Sequence, residues 1–370
     1  MLALLLLFPF LITSCWDQVV IEKTGYMLLY GMELTPQDQV LATFALPVIS
    51  EKATGKMEVV SVTAVNSRQA REKARTKASL SIAGGKTQSM LFSTQLADKG
   101  LQSLLEIFER DPANPSLAYV VVVDGSPKEL IEKISNSTQH PDSAMYVRQL
   151  LDQNMNTSKI PQTRIYNFDI NCFADGIDPI APLIKLDGND VSVEGAALFS
   201  DDRMVGRIDT DRNILLEAMM GKLKPTEYTF TDKALIKNQE QFDIGYEKQG
   251  LTMLLNQMKP QIELKIVQGI PNIHITLDFS GNLSEYMWAN VSDKDEETKI
   301  ESILSSEMER ECNELVKYLQ TVGSDPIGIG NMLRYQYSSY WDSIDWSKVY
   351  QDAVIDVDAN VKFVLNGTIK

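Results

Sequence analysis

The chain has 370 residues and a formal charge of −15, with 44% hydrophobic and 23% charged side chains. That length exceeds one ordinary core and that composition is too apolar for a disordered chain, so two or three folded units are expected. The negative balance opposes affinity for phosphate backbones, which depends on Lys and Arg displacing counterions, and so counts against nucleic acid as a partner. With only His140 and His274 as histidines and three cysteines, there is little material for a metal centre, a histidine-activated nucleophile or a disulfide framework.

Met1 to Ser14 contain an apolar run, Leu2 to Ile12, and no ionisable side chain. A membrane-spanning helix needs roughly 20 apolar residues and a secretory signal about 7 to 15, so this run reads as a signal peptide over residues 1–14. Leu11, Ile12, Thr13 and Ser14 place apolar, apolar, small and small residues before Cys15, the pattern of a lipoprotein signal. Cys15 is therefore expected to carry lipid and to tether the mature chain to a membrane. Cys172 and Cys312 remain, and both are expected to be unpaired core thiols.

Residues 15–160 are expected to form an α/β unit, because helical and strand patterns alternate from Thr63 to Ser135. Asn66 and Ser67 suit the start of a helix running to about Leu80, stopped by Gly84 and Gly85. Gln88 to Phe92 reads as a strand. Leu96, Leu101, Leu104, Leu105 and Phe108 fall at helical spacing within Thr94 to Arg110. Leu117 to Val123 reads as a strand buried on both faces, and Pro127 to Ile134 as a helix.

Residues 161–225 are expected to form a small β-rich middle unit, with strands at Arg164 to Ile170 and Val191 to Phe199. In residues 226–370 a sheet covered by helices is expected. Ile273, Ile275, Leu277 and Phe279 alternate with polar residues, as do Ile355, Val357, Ala359, Val361, Phe363 and Leu365, while Asp295 to Gln320 carries one apolar stripe that includes Cys312. The fold class is thus mixed α/β and α+β, in three domains.

No catalytic constellation and no cofactor site is read. Gly84, Gly85 and Lys86 lack the strand before and the Ser or Thr after that a phosphate loop requires. The pairs Asp201 with Asp202 and Asp209 with Asp211 read as solvated loops without EF-hand spacing, and His274 as a solvated strand residue. One segment reverses the charge of the chain: between Asn66 and Lys86, six cations stand against Glu72 alone. Arg68, Arg71, Lys73, Arg75 and Lys77 are therefore a candidate surface for anionic headgroups or an acidic partner.

Cys15, Trp16 and Asp17 resemble the opening of the Ger(x)C family, the C subunits of spore germinant receptors. Leu96, Ala97, Gly100 and Leu101, then Arg110, Asp111 and Pro112, resemble that family's first-domain helix and turn. Glu194, Gly195, Ala197 and Phe199, with Val205 and Gly206, resemble its middle strand pair. A structural motif of Asp325, Pro326, Gly328 and Gly330, followed by Trp341 and Trp346, resembles its closing segment. Val20, Ile327 and Ile329 depart from the family pattern. The resemblance, which spans residues 15–370, implies a noncatalytic three-domain lipoprotein on the outer surface of the spore inner membrane. It further implies assembly with an A subunit and a transporter-like B subunit in nutrient-triggered germination. The alternative, a solute-binding lipoprotein of an importer, requires a cleft between two similar α/β lobes. An envelope hydrolase would require the nucleophile or metal ligands that are missing.

Overall fold

The computed structural model describes residues 24–48, 57–110, 116–137, 143–231, 250–285 and 294–365. Cys15, Trp16, Asp17, Val20, Asp111, Pro112 and His140 lie outside the described residues.

The first sheet contains eight strands in the order β10-β9-β8-β7-β6-β2-β3-β4. Its centre is parallel: β2 (Leu29–Leu34), β6 (Ser89–Ser93), β7 (Tyr119–Asp124) and β8 (Ile180–Asp187) run the same way. Antiparallel strands complete both ends, β3 (Val40–Pro47) and β4 (Met57–Ala64) on one side, β9 (Asp190–Ser200) and β10 (Arg203–Ile208) on the other. The unbroken apolar run expected at Leu117 to Val123 behaves as a central strand should. In it, Val120 and Val122 enter one core while Val121 and Val123 enter the core on the opposite face.

Two helices depart in length from their sequence pattern. The one expected to reach Leu80 is Ser67–Arg75, capped by the Asn66 side chain on the Gln69 N–H. It stops early because Glu58 of β4 accepts from both the backbone and the hydroxyl of Ser79, drawing that residue toward the sheet. The short strand β5 (Ser81–Ala83) then pairs in parallel with β1 (Thr24–Tyr26). The stretch from Thr94 to Arg110 is two helices, Thr94–Ala97 and Gln102–Arg110, broken at Gly100, whose φ of 112° lies outside the helical region.

The expected strand at Arg164 to Ile170 is corrected: Ile165–Phe173 is a helix, with only Arg164 bridging to Tyr119. Ile165, Phe168 and Cys172, spaced i, i+3, i+7, pack into the core, which is helical periodicity. The strands of residues 161–225 extend the first sheet, since β8 pairs with β7.

The second sheet is organised on the long strand β14 (Ile270–Glu285). On one edge β13 (Gln261–Val267) pairs with its first half and β12 (Leu251–Leu255) with its last residues, β11 (Thr226–Phe230) lying beyond β12. Along the other edge β15 (Val354–Leu365) runs parallel to it. Helix Lys294–Val322 covers this sheet with the expected stripe of Ile300, Leu304, Met308, Cys312, Leu315, Val316 and Leu319. Cys172 and Cys312 are both free thiols.

The two cores meet at β9. Ala197 and Phe199 point into the core of the first sheet, whereas Ala196 and Leu198 join the core of the second. Alternation along a single strand thus supplies both.

Candidate functional site

Three chain segments come together at the β9–β10 turn. The first is the turn at Gly176 to Asp178, after helix Ile165–Phe173. The second is Asp201 and Asp202 themselves. The third is the loop Ser324 to Gly330, which follows helix Lys294–Val322 and opens the short helix Ile329–Gln336.

Asp325 organises the third segment. It is 1% exposed, and its Oδ1 accepts from the backbone N–H of Gly328 at 2.9 Å and of Ile329 at 3.0 Å. Its Oδ2 accepts from the N–H of Gly330 at 2.8 Å and from Trp346 Nε1 at 3.2 Å. Four donors on one carboxylate wind the loop around it. Burial pushes its pKa up to about 7, against the pull of the Gly330, Ile329 and Gly328 amides.

The glycines of this loop are required by geometry. Gly328 has φ 77°, and a Cβ on Gly330 would lie 2.3 Å from Trp346 Nε1. The indole therefore sits where a side chain would be. Trp346 also lies 6.1 Å, centroid to centroid, from Trp341 and 5.4 Å from Tyr350. The structure thus brings Asp325, Pro326, Gly328, Gly330, Trp341 and Trp346 into one cluster.

Asp178 ties this loop to the first sheet. Its Oδ2 accepts from the Asp325 N–H at 2.7 Å, its Oδ1 accepts from the Asp201 N–H at 2.9 Å, and its own N–H donates to the Asp325 carbonyl at 3.0 Å. Ser324 donates its hydroxyl to the Phe199 carbonyl at 2.6 Å. On the far side of the turn Asp202 accepts from the Gln102 N–H, and its carbonyl accepts from Leu101. Gly100 leaves the space for this, since a Cβ there would lie 2.5 Å from the Asp202 carboxylate. Asp202 is thus a helix cap rather than part of a solvated loop. Likewise Asp209 caps helix Thr210–Met219 through the Arg212 N–H. Gly195 and Gly206 complete the joint. A Cβ on Gly195 would lie 2.2 Å from the Ile208 carbonyl oxygen, and one on Gly206 would lie 2.9 Å from the Tyr318 hydroxyl of the long helix.

Sequence reasoning missed Asp178, Ser324, Tyr350 and the joining role of Asp202. The Asp175-Gly176 and Asp178-Pro179 pairs were the available turn signals; nothing local marks Tyr350.

The basic residues lie on and just after helix Ser67–Arg75. Arg68 is exposed, and the Arg71 guanidinium lies over the Phe108 ring at 5.8 Å. Arg75 pairs with Glu72 at 2.7 Å, while Lys73 donates to the Thr63 carbonyl and Lys77 to the Ser61 carbonyl. His274 is on the polar face of β14, 3.2 Å from Asp358.

A cavity of about 830 Å³ lies between Arg164, Tyr166 and Asn167 on one side and Glu217, Lys222 and Lys224 on the other. Burial pushes the Glu217 carboxyl up to about 7, partly offset by Lys222 and Lys224.

Gly100, Gly195, Gly206, Asp325, Gly328 and Gly330 at this joint are among the residues on which the sequence resemblance rested, and whole-chain comparison agrees. A family model described as the spore germination protein N-terminal domain matches residues 17–186, and one described as spore germination B3/GerAC like, C-terminal, matches residues 194–367. The chain belongs to the Ger(x)C family of spore germination proteins. A relative from Bacillus cereus, the spore germination protein GerQC, is 23% identical over 364 residues, covering 98% of this chain and 97% of its own. The crystal structure of the GerBC protein has the same fold, with a TM-score of 0.59 at 16% identity over 91% of this chain and 97% of that one. The boundary between the two family domains, residues 186 to 194, falls within the β8–β9 hairpin, so this Ger(x)C fold has its domain border inside a sheet.

Proposed function

We propose that this Ger(x)C protein is a noncatalytic, lipid-anchored C subunit of a spore germinant receptor. In this reading it assembles with the A and B membrane subunits on the outer surface of the spore inner membrane. The observation that carries it is the ordered match of both family domains across residues 17–367. Cys15 supplies the tether, because the residues before it form a lipoprotein signal. Among the described residues no helix is long and apolar enough to cross a membrane. The Asp178–Asp325 joint supports a role through binding surfaces, because its carboxylates are engaged in holding backbone together. Arg68, Arg71 and Arg75 are proposed to face anionic headgroups or an acidic partner.

The test is fractionation of spores carrying Cys15→Ala, with co-purification of the A and B subunits. The variant is expected to leave the membrane fraction and to slow the response to nutrient. Membrane retention of the variant at the parental level, with no co-purifying A or B subunit from the parent, would refute the assignment.

A further inference from the structure

Beside the Asp325 loop lies a cavity of about 510 Å³. Its lining includes Asp178, Asp201 and Asp325 together with the aromatic residues Trp341, Trp346 and Tyr350. Two further carboxylates are neutralised at the exposed rim, Asp175 by Arg334 at 3.1 Å and Asp345 by Lys348 at 2.8 Å. Among the described residues no ion pair joins Asp178, Asp201 or Asp325 to a Lys or Arg. Neighbouring groups register this uncompensated charge. Burial, then Asp202, Asp169, Asp201 and Asp178, pushes the Cys172 thiol up, and burial, then Asp325 and Asp178, does the same to Tyr350.

Tyr350 provides an independent observation. It is 2% exposed and lines the cavity, yet its hydroxyl has no hydrogen-bond partner among the described residues. Leaving a buried polar group unpaired costs roughly 1–3 kcal/mol, so a hydrogen bond made to this hydroxyl would be favourable. The Trp346 N–H is already given to Asp325. Its indole therefore has only a π-face to offer, which is the surface that attracts a cation.

Among the described residues no group of three or more His, Cys, Asp or Glu is arranged to hold a metal ion, and aromatic rings add no ligand atoms. Carboxylates beside aromatic rings suit a cation that is partly apolar and carries several N–H donors. We propose that this cavity binds a small organic cation, an alkylguanidinium or alkylammonium group, between the Asp178 and Asp201 carboxylates and the aromatic wall of Trp346 and Tyr350. The Tyr350 hydroxyl oxygen accepts one of its N–H groups. This site stands apart from the receptor assignment and does not depend on it.

The experiment is calorimetric titration of the full chain in detergent with methylguanidinium, with urea as the neutral isostere and a capped Gly-Arg-Gly peptide as the protein-borne form. Saturable binding of a guanidinium, without binding of urea, is expected. Asp201→Asn and Tyr350→Phe should each weaken it about tenfold, equivalent to about 1.4 kcal/mol. Both variants should fold. Asn tolerates the left-handed backbone of residue 201, where φ is 52°, and Phe removes only an unpartnered hydroxyl. Tighter binding of the peptide assigns the cation to a protein side chain, and tighter binding of methylguanidinium to a free solute; either result supports the site. Absence of saturable binding by both cations, equal binding of urea, or binding unchanged in both variants would overturn it.

Discussion

Asp325 spends its carboxylate on four donors, and the same burial that makes those bonds strong makes its charge expensive. Glu217 is buried as well, with two nearby lysines as its only opposing influence. Both carboxyls hold a proton in the folded chain up to about pH 7, whereas in the unfolded chain they release it near their ordinary values. Between those values the folded state binds more protons, so stability is greatest on the acid side and falls as pH rises through about 7. Thermal unfolding should therefore occur at lower temperature at about pH 8 than at about pH 5, and Glu217→Gln should flatten that dependence. A flat profile in the parent would mean that both groups ionise with little penalty.

Covered edges distinguish the two sheets at the scale of their elements. The open edge of β15 is closed by side chains of the long helix. Asn313 bonds both the N–H and the carbonyl of Val357, Ser305 accepts from the Val361 N–H, and Glu301 accepts from the Phe363 N–H. At the far edge of the first sheet, Lys73 and Lys77 reach the outward carbonyls of Thr63 and Ser61 on β4. Lysines over an exposed strand deter pairing with another molecule. Replacing both by Ala should lower stability by no more than about 1 kcal/mol. It should also produce concentration-dependent association, read by light scattering, whereas unchanged scattering would show that the helix alone protects β4. The same scale shows what was legible in the sequence. Helix 294–322 and strands β14 and β15 announce themselves because one face of each is apolar and the other polar. Helix Ile165–Phe173 does not, because Tyr166, Ile170 and Phe173 are apolar yet exposed and mask the i, i+3, i+7 set beneath. The candidate site was half legible. Its glycines and tryptophans carry local signals, while Asp178 and Tyr350 acquire their meaning from residues more than a hundred positions away or from a cavity.

For the molecule as a whole, the sequence pattern suggested three units; the strand pairing places β8 to β10 in the first sheet, and β9 lends its other face to the core of the second. Composition shifts at Pro161 and near Gly221 mark changes in local structure; they carry no information about which sheet a strand will join. A fragment ending at residue 190 would keep β8 but lose β9, leaving β8 an open edge and removing Phe199 from the first core. It should be recovered mostly in aggregates, while the full chain unfolds in one cooperative transition followed by fluorescence and circular dichroism together. Recovery of a soluble, fully folded fragment would show that the first sheet is independent of β9.

The shared wall also has a mechanical meaning. Two bodies joined by a linker can swing while one of them is held, but here one strand, β9, packs into both cores, and the two are pinned again where Ser324 and Asp325 bond to Phe199 and Asp178. A push on the second sheet is therefore passed to the first through β9 and the Ser324–Asp325 loop. If Cys15 tethers the molecule as proposed, movement of the second sheet would be passed toward the anchored first domain.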